Sequence, residues 1–111
     1  MSFLGYNVIG DNMNDFTREV IHIIEHIPYG KVMTYGQIAA VAGNPRAARQ
    51  VSRILHSLSH KYGLPWHRVI NAQGKISLTH DAGFTQKNLL ICEGIEVVGK
   101  QIDLKKHLHK I

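Results

Sequence analysis

Cysteine, acidic side chains and long apolar runs are all scarce in this sequence, and each shortage excludes a class of protein. The 111 residues include one cysteine, so no disulfide can form within the chain, and this favours a reducing compartment. No apolar run approaches the roughly 20 residues of a transmembrane helix, and the first residues lack the charged start and apolar core of a secretory signal. The sequence therefore predicts a cytoplasmic protein with no membrane partner.

The balance of charges is one-sided. Lys and Arg number 13 against 8 Asp and Glu, which gives a formal net charge of +5 and a pI of about 9.6. Hydrophobic residues make up 44% of the chain, enough for one small folded domain with its own core. A small basic domain is predisposed to bind polyanions, and nucleic acid is the first candidate.

Histidine is abundant by contrast, with eight residues, which raises the question of a metal site. His22 and His26 have the i,i+4 spacing that brings two imidazoles to one face of a helix. The pair has no nearby cysteine, and we recognise no third ligand for it in the sequence. The sequence therefore predicts no metal site and no cofactor.

Helical patterns dominate the first half of the chain. Asn14 can cap a helix over 15–26, where apolar residues recur at helical spacing. Thr34 and Gln37 form a capping box that opens a short helix over 35–42.

A longer helix is predicted to follow, with Asn44 as its cap and Pro45 as its first residue, and to end near residue 60. A helix, a turn containing Gly43 and a second helix form the helix-turn-helix pattern. The second helix has small residues, Ala47 and Ala48, at its start, where a nucleic acid backbone could approach closely.

The apolar side of this second helix is formed by Ala48, Val51, Ile54, Leu55 and Leu58. Its basic side is formed by Arg46, Arg49, Arg53, His56 and His60.

A basic helix face opposite an apolar one is typical of a helix that rests on a core and contacts phosphates. From the spacing alone, a solvated basic face remains the default interpretation.

The second half of the chain predicts short strands and one helix. Val69–Ile70 is typical of a short buried strand, and residues 75–78 of a second strand or a wing. A helix over 82–93 is predicted between the cap Asp81 and the terminating Gly94. Its expected core contacts are Phe84, Leu90 and Ile91, and Cys92 is expected to be an inert small core residue.

These elements predict a mainly α fold with a small β hairpin or wing, that is, a winged-helix-like helix-turn-helix DNA-binding domain. We expect a poorly specified arm over residues 1–13, the domain over 14–100 and a basic tail over 101–111.

Four blocks of the sequence resemble one known family. The blocks are Ile27–Val32 (IPYGKV), Thr34–Ala39 (TYGQIA), Ala47–Val51 (AARQV) and Pro65–Ile70 (PWHRVI). In this order they resemble the C-terminal DNA-binding domain of the O6-alkylguanine-DNA alkyltransferases, whose Pro-Cys-His-Arg-Val-[Val/Ile] signature carries the alkyl-accepting cysteine. Trp66 stands in the place of that cysteine, a substitution that marks the alkyltransferase-like proteins.

The resemblance implies roles for residues at matching positions. Family members bind the minor groove through the helix-turn-helix and flip the damaged guanine into a pocket. Arg49 matches the arginine that takes the vacated place, and Tyr35 matches the tyrosine that crowds the phosphate and helps to rotate the nucleotide. Trp66 would form the floor of the pocket. The residues expected to contact DNA or the lesion are Tyr35, Ala47, Ala48, Arg49, Pro65, Trp66 and Val69.

The signature also implies a structural network. His67 and Glu93 match the pair that activates the cysteine in the transferases, and without a thiol we expect them to be structural. Arg68 is expected to brace the fold. Two positions depart from some family members: Leu58 falls near a hinge asparagine, and Thr79 lacks the charge of an arginine proposed to reach the lesion.

The function implied by the resemblance is a non-enzymatic, monomeric sensor of O6-alkylguanine in double-stranded DNA. Such a sensor would pass the lesion to nucleotide-excision repair proteins, and would be nucleoid-associated in a bacterium or nuclear in a eukaryote. Two alternatives come from other classes. One is an enzyme, either an alkyltransferase using Cys92 or a hydrolase using His67 and Glu93. The other is a sequence-specific regulator that reads the major groove and is normally a dimer.

Overall fold

The structure, a computed structural model, describes residues 13–111, so the predicted arm lies outside the described residues except for Met13. Its helices are α1 (Asp15–Glu25), α2 (Tyr35–Val41), α3 (Ala48–Tyr62), α4 (His80–Cys92) and α5 (Leu104–His107). Its strands are β1 (Met33–Thr34), β2 (Val69–Ile70), β3 (Val97–Val98) and β4 (Gln101–Ile102), and a 3-10 turn (Trp66–Arg68) precedes β2. The prediction of a mainly helical fold is confirmed.

Helix α1 forms as its sequence predicts. The Asn14 side chain accepts a hydrogen bond from the Thr17 amide at 2.9 Å and so satisfies one of the unpaired donors of the first turn. The helix buries Val20, Ile21, Ile23 and Ile24. Val20, Ile23 and Ile24 belong to the predicted apolar stripe, whereas Phe16, also expected there, is only partly buried. The helix ends before Pro28, because a proline disfavours helical backbone in the residue before it.

The helix-turn-helix is present, but its second helix starts later than predicted. Helix α2 has its capping box, with the Gln37 amide donating to Thr34 Oγ1 at 3.0 Å. Asn44 does not cap α3; its side chain accepts from the Arg46 amide at 3.2 Å. Because this short-range bond closes a turn, α3 begins at Ala48 instead of Pro45, and it has no side-chain cap.

Helix α3 extends to Tyr62, two residues beyond the predicted end, and stops where Gly63 adopts a left-handed backbone with φ of 60°. Its apolar and basic faces are opposed as predicted, although Ala48 and Leu58 of the apolar face are only partly buried and Arg46 lies before the helix. Val51, Ile54 and Leu55 are buried, and the five residues of the basic side are exposed.

A short parallel strand pair separates two hydrophobic clusters. Strand β1 pairs with β2 in the register Met33 with Val69 and Thr34 with Ile70. Successive side chains of an extended chain point to opposite faces. Accordingly, Met33 and Val69 join a cluster formed with α1, α2 and α3, the helical cluster, while Val32 and Ile70 join a smaller cluster with Leu90 of α4.

The wing lies at a different place from the one predicted. Residues 75–78 contribute only a single bridge, between Lys75 and Gln101, whereas β3 and β4 form an antiparallel hairpin. The boundary expected at residue 100 falls in the turn of this hairpin.

The residues expected to form a basic tail contain β4 and α5. The chain after α5 returns to the start of β1: the Val32 amide donates to the His107 carbonyl at 3.0 Å, and the His109 amide donates to the Val32 carbonyl at 2.8 Å. The basic residues 105–110 are therefore attached to the folded body.

Helix α4 begins at His80, two residues before the predicted start, and Thr79 occupies its N-cap position without a side-chain cap. The prediction of Asp81 as the cap is therefore wrong, because Asp81 lies in the first turn of the helix. Its buried face consists of Gly83, Gln86 and Leu90. Phe84 and Ile91 were expected to contact the core, and this prediction is wrong: Phe84 is 67% exposed and Ile91 is 48% exposed. These two side chains lie about 100° around the helix from Gly83 and Leu90, because each residue advances the helix by that angle.

Among residues 13–111, no helix combines the length and the apolar character needed to cross a bilayer.

Candidate nucleic-acid interface

The Trp66–Arg68 turn directs its side chains to two different sides. It is closed by hydrogen bonds from the Trp66 amide to the Leu64 carbonyl at 2.8 Å and from the Arg68 amide to the Pro65 carbonyl at 3.0 Å. The rings of Trp66 and His67 meet edge to face, at 86° with centroids 6.2 Å apart. Trp66 packs against the helical cluster, whereas His67 faces the end of α4.

The Glu93 carboxylate joins three separate parts of the chain. It accepts from His67 Nε2 at 2.6 Å, from the Gly30 amide at 2.8 Å, and from Arg68 through Nε and Nη2 at 2.8–3.0 Å. Arg68 Nη1 also donates to the Ile27 carbonyl at 2.8 Å. This group, which we call the Glu93 cluster (Gly30, His67, Arg68 and Glu93), ties the loop after α1 to the turn and to the end of α4. The expected bracing by Arg68 is confirmed in its contacts.

The Glu93 cluster shifts the acidity of its carboxyl. Only 7% of the Glu93 side chain is exposed. Burial by itself raises the pKa, but the hydrogen bonds from Arg68, the Gly30 amide and His67, with the charge of Arg68, outweigh it and lower the pKa to about 2. Glu93 is therefore an anion throughout the physiological range, and it is a weak base.

Gln86 supports the turn from the side of α4, and sequence reasoning missed it. Its side chain is buried, and Nε2 donates to the His67 carbonyl at 3.1 Å and to the Val69 carbonyl at 3.0 Å. A glutamine on a helix is usually exposed, so no signal in a single sequence separates this one from the others.

A cleft of about 340 Å³ opens between α2, α3, the turn and the start of α4. We call it the Trp66 cleft; it is lined by Tyr35, Ser52, Leu55, His56, Ser59, Trp66, Leu78 and Ala82. This volume lies at the lower end of the range of small-molecule sites, about 300–1,000 Å³. Burial raises the pKa of Tyr35, so its hydroxyl is neutral at physiological pH.

The cleft brings together two of the residues singled out in the sequence, Tyr35 and Trp66. Arg49 does not line it, but is exposed in the first turn of α3. It lies one turn before Ser52, on the helical row that continues through His56 and Ser59, because residues three or four apart share a face. The basic side of α3 therefore reaches the cleft, which His56 lines.

The remaining candidates have different positions. Ala47 and Val69 are buried, 8% and 1% exposed, so their side chains take part in the helical cluster. Ala48 and Pro65 are partly exposed. Sequence reasoning did not identify Ser52, Ser59, Leu78 or Ala82. The two serines follow Arg49 at helical spacing, and this spacing could have indicated that they share a face of the helix with Arg49.

Cys92 and the two departures from the family pattern also have clear positions. Cys92 is exposed at the end of α4 and does not line the Trp66 cleft, so the expectation of a core cysteine is wrong. Its carbonyl accepts from the Tyr29 hydroxyl at 2.9 Å. Leu58 packs against the helical cluster, and Thr79 is exposed.

Comparison with known proteins agrees with this geometry. The family model of the 6-O-methylguanine DNA methyltransferase DNA-binding domain matches residues 15–95. The chain belongs to this family. The match spans the helix-turn-helix, the Trp66–Arg68 turn and all of α4, and so includes both the Trp66 cleft and the Glu93 cluster.

Relatives in this family include proteins without methyltransferase in their names. The chain is 46% identical over 95 residues to a DNA base-flipping protein of Escherichia coli, covering 85% of this chain and 74% of that protein. It is 45% identical over 87 residues to alkyltransferase-like protein 1 of Schizosaccharomyces pombe, covering 77% and 81%. The fold matches the crystal structure of S. pombe Atl1 in complex with damaged DNA containing O6-carboxymethylguanine, with a TM-score of 0.79, 37% identity, and coverage of 89% of this chain and 98% of that one.

Proposed function

We propose that this chain is a non-enzymatic sensor that binds O6-alkylguanine in double-stranded DNA through the minor groove and flips the lesion into the Trp66 cleft. One observation carries the proposal: Trp66, at the signature position of the alkyl-accepting cysteine, lines a cleft between Tyr35 and the helix with the basic face. The names of the relatives, a base-flipping protein and an alkyltransferase-like protein, point to the same function.

Trp66 makes this site a binding site instead of an alkyl acceptor. Its indole nitrogen is only a hydrogen-bond donor, so it has no lone pair with which to attack an alkyl carbon. A tryptophan does offer a broad apolar face to a flipped base, and stacking on an aromatic side chain contributes about 1–3 kcal/mol per base. That gain offsets much of the few kcal/mol that unstacking a base costs.

In this proposal, Arg49 and Tyr35 assist the rotation of the alkylated nucleotide out of the duplex. Arg49 is exposed one helical turn before Ser52 of the cleft lining, and in this proposal its guanidinium enters the space that the flipped base leaves. Tyr35 lines the cleft at the start of α2 and presents a neutral phenol beside the backbone phosphate. The exposed basic side of α3 supplies phosphate contacts, which hold the duplex without reading its sequence.

His67 and Glu93 have a structural role in this proposal. The Glu93 carboxylate is already occupied by Arg68 and the Gly30 amide as well as His67, and its low pKa makes it a poor proton acceptor. This supports a brace that holds the turn carrying Trp66, and it disfavours a hydrolase built on the pair.

Binding without repair requires a second system that completes the repair. We therefore include hand-over to nucleotide-excision repair proteins, with the chain acting as a monomer. The hand-over is tested by comparing the rate at which the excision proteins incise an O6-methylguanine duplex with and without this chain. An unchanged rate of incision would refute the hand-over but would not contradict lesion binding.

The primary experiment is fluorescence anisotropy with two duplexes that differ only in one O6-methylguanine in place of guanine. Salt must be fixed, because phosphate contacts dominate absolute affinity. We expect the modified duplex to bind at least about tenfold tighter, which corresponds to about 1.4 kcal/mol. Mass spectrometry of protein and DNA should then find the methyl group still on the DNA.

Variants separate the contributions. Arg49→Ala and Trp66→Ala should each lower the preference for the modified duplex, by about 1–3 kcal/mol of binding free energy. Arg53→Ala is the matched control: it removes a charge from the same helix face and should weaken both duplexes about equally.

Two results would contradict the proposal. Equal binding of both duplexes would favour a sequence-specific helix-turn-helix regulator. A methyl group found on the protein would show a transferase, and its position would test Cys92 as the acceptor.

A further inference from the structure

The last turn of α1 brings three potential metal ligands together. His22, Glu25 and His26 are all exposed, and one ligand atom from each lies within 4.8 Å of the other two. Within residues 13–111, no other group of three His, Cys, Asp or Glu side chains meets this condition. The spacing i, i+3, i+4 places the three on one face of the helix, so no change of backbone is needed to direct them at a common point.

A hydrogen bond already orients one of the imidazoles. His26 Nδ1 lies 2.7 Å from the His22 carbonyl oxygen. A carbonyl oxygen can only accept, so Nδ1 carries the proton and Nε2 of the neutral ring keeps its lone pair. Metal-binding histidines commonly donate their second ring nitrogen to a backbone carbonyl in this way, which fixes the tautomer and the direction of the ring.

The surroundings favour a cation. Glu25 is the last residue of α1 and His26 is its C-cap, and the C-terminal end of a helix carries a partial negative charge. The carboxylate of Glu25 adds a full one. The rings of His22 and His26 lie side by side, with centroids 4.3 Å apart, close enough for both to reach one ion.

We propose that His22, Glu25 and His26 form a binding site for a divalent transition metal ion of the Zn²⁺ type, with water completing the coordination. Two imidazoles and one carboxylate suit Zn²⁺, Cu²⁺, Ni²⁺ and Co²⁺, whereas Mg²⁺ and Ca²⁺ prefer sites made of oxygen ligands. The sequence predicted no metal site because the histidine pair lacked a recognised third ligand. The structure supplies Glu25 in that role and gives His26 its orientation.

The site has a structural consequence that does not depend on DNA binding. The chain passes directly from His26 to Ile27, whose carbonyl accepts from Arg68, and on to Gly30 of the Glu93 cluster. A metal ion on the last turn of α1 therefore holds the helix end from which this loop starts. Because the unfolded chain does not preform the site, binding should stabilise the folded state.

The test uses the full chain after chelator treatment, in a buffer that does not bind metals. Isothermal titration with ZnCl₂ should give about one Zn²⁺ per chain, and Zn²⁺ should raise the unfolding temperature, while MgCl₂ at the same concentration should not. His26→Ala and His22→Ala should each weaken binding at least about tenfold, and Glu25→Gln should weaken it less.

The chain contains a matched control. His56 and His60 of α3 have the same i,i+4 spacing but belong to no three-ligand group within the described residues. His60→Ala should leave the affinity and stoichiometry of Zn²⁺ unchanged. Binding that survives His26→Ala, or that is lost in His60→Ala, would overturn the proposal. So would the absence of any Zn²⁺-dependent heat or shift in unfolding temperature.

Discussion

Replacement of Glu93 by glutamine tests the Glu93 cluster most directly, because the carboxylate is nearly buried and its pKa lies far below the ordinary value. The pKa falls from 4.5 to about 2 in the folded chain. Each pKa unit is worth about 1.4 kcal/mol, so the shift corresponds to about 3 kcal/mol of stability at neutral pH. Glu93→Gln should therefore lower the free energy of unfolding at pH 7 by about 3 kcal/mol, since it also leaves the Arg68 guanidinium without a counter-charge.

The pH dependence gives a sharper test than the loss at pH 7. A carboxyl whose pKa is lowered on folding stabilises the protein fully above its unfolded pKa, and this contribution is lost as the pH falls through 4.5 toward about 2. About 2 kcal/mol of it should have disappeared at about pH 3. The wild-type and variant free energies of unfolding should therefore converge on acidification.

The assay is urea denaturation at several pH values, followed by circular dichroism and by the fluorescence of the single tryptophan, Trp66. Glu96→Gln is the control, because Glu96 is exposed and lies three residues along the chain; its effect should stay within about 0.5 kcal/mol at every pH. Parallel pH profiles for the wild type and Glu93→Gln would refute the reasoning, because the carboxylate would then contribute nothing through its ionisation.

Two further predictions concern α4 and its contacts. Gly83→Ala should destabilise the fold by about 1–3 kcal/mol in thermal or urea unfolding, because the new Cβ would lie 2.4 Å from the Leu78 carbonyl oxygen; Gly36→Ala, with open space around its Cβ, should be neutral or stabilising, and equal losses would contradict the close approach. Gln86→Leu should cost about 1–3 kcal/mol because it leaves the His67 and Val69 carbonyls without their donor, and it should reduce the preference for O6-methylguanine DNA in the anisotropy assay. Gln50→Leu, at an exposed position, should change stability by no more than about 0.5 kcal/mol, and a Gln86→Leu effect of that same size would refute the supporting role.

Features that depend on local chemistry could be predicted from the sequence. Asn14 and the pair Thr34 and Gln37 cap the helices that follow them, because a cap needs only a side chain and amides two or three residues away. The apolar stripes of α1 and α3 were also predictable, since periodicity identifies the buried face without knowledge of the partner.

Errors arose where a local signal competed with another contact. Asn44 has the composition of a helix cap, but its side chain closes a turn on Arg46, and both outcomes are typical of asparagine. Phe84 and Ile91 are apolar and were assigned to the core, whereas α4 turns Gly83 toward Leu78 and leaves both of these side chains exposed. The hairpin of β3 and β4 was not predicted because its two-residue strands are too short to show an alternating pattern. The hairpin forms through pairing across the turn at residues 99–100.

The candidate site shows the same division. Trp66, His67 and Arg68 were identified because they are consecutive and resemble a signature. Gln86 and the residues that complete the cleft come from α3, from α4 and from the segment that precedes α4, and their proximity depends on the tertiary fold. A motif therefore predicts the chemistry of a site more readily than the surfaces that enclose it.

The Glu93 cluster holds the turn that carries Trp66 without any hydrogen bond to the Trp66 side chain. Every contact of Glu93 joins two of three parts of the chain, which are the loop after α1, the turn and the end of α4. His67, Arg68 and the Gly30 amide supply these contacts, and none comes from the side chain of residue 66 itself. The side chain at position 66 points to the other side of the turn, into a cleft bounded by Tyr35 and α3. The brace and the cleft are thus separable at this position: in the proposed function, the Glu93 cluster holds the turn while the indole faces the cleft in which a flipped base would stack.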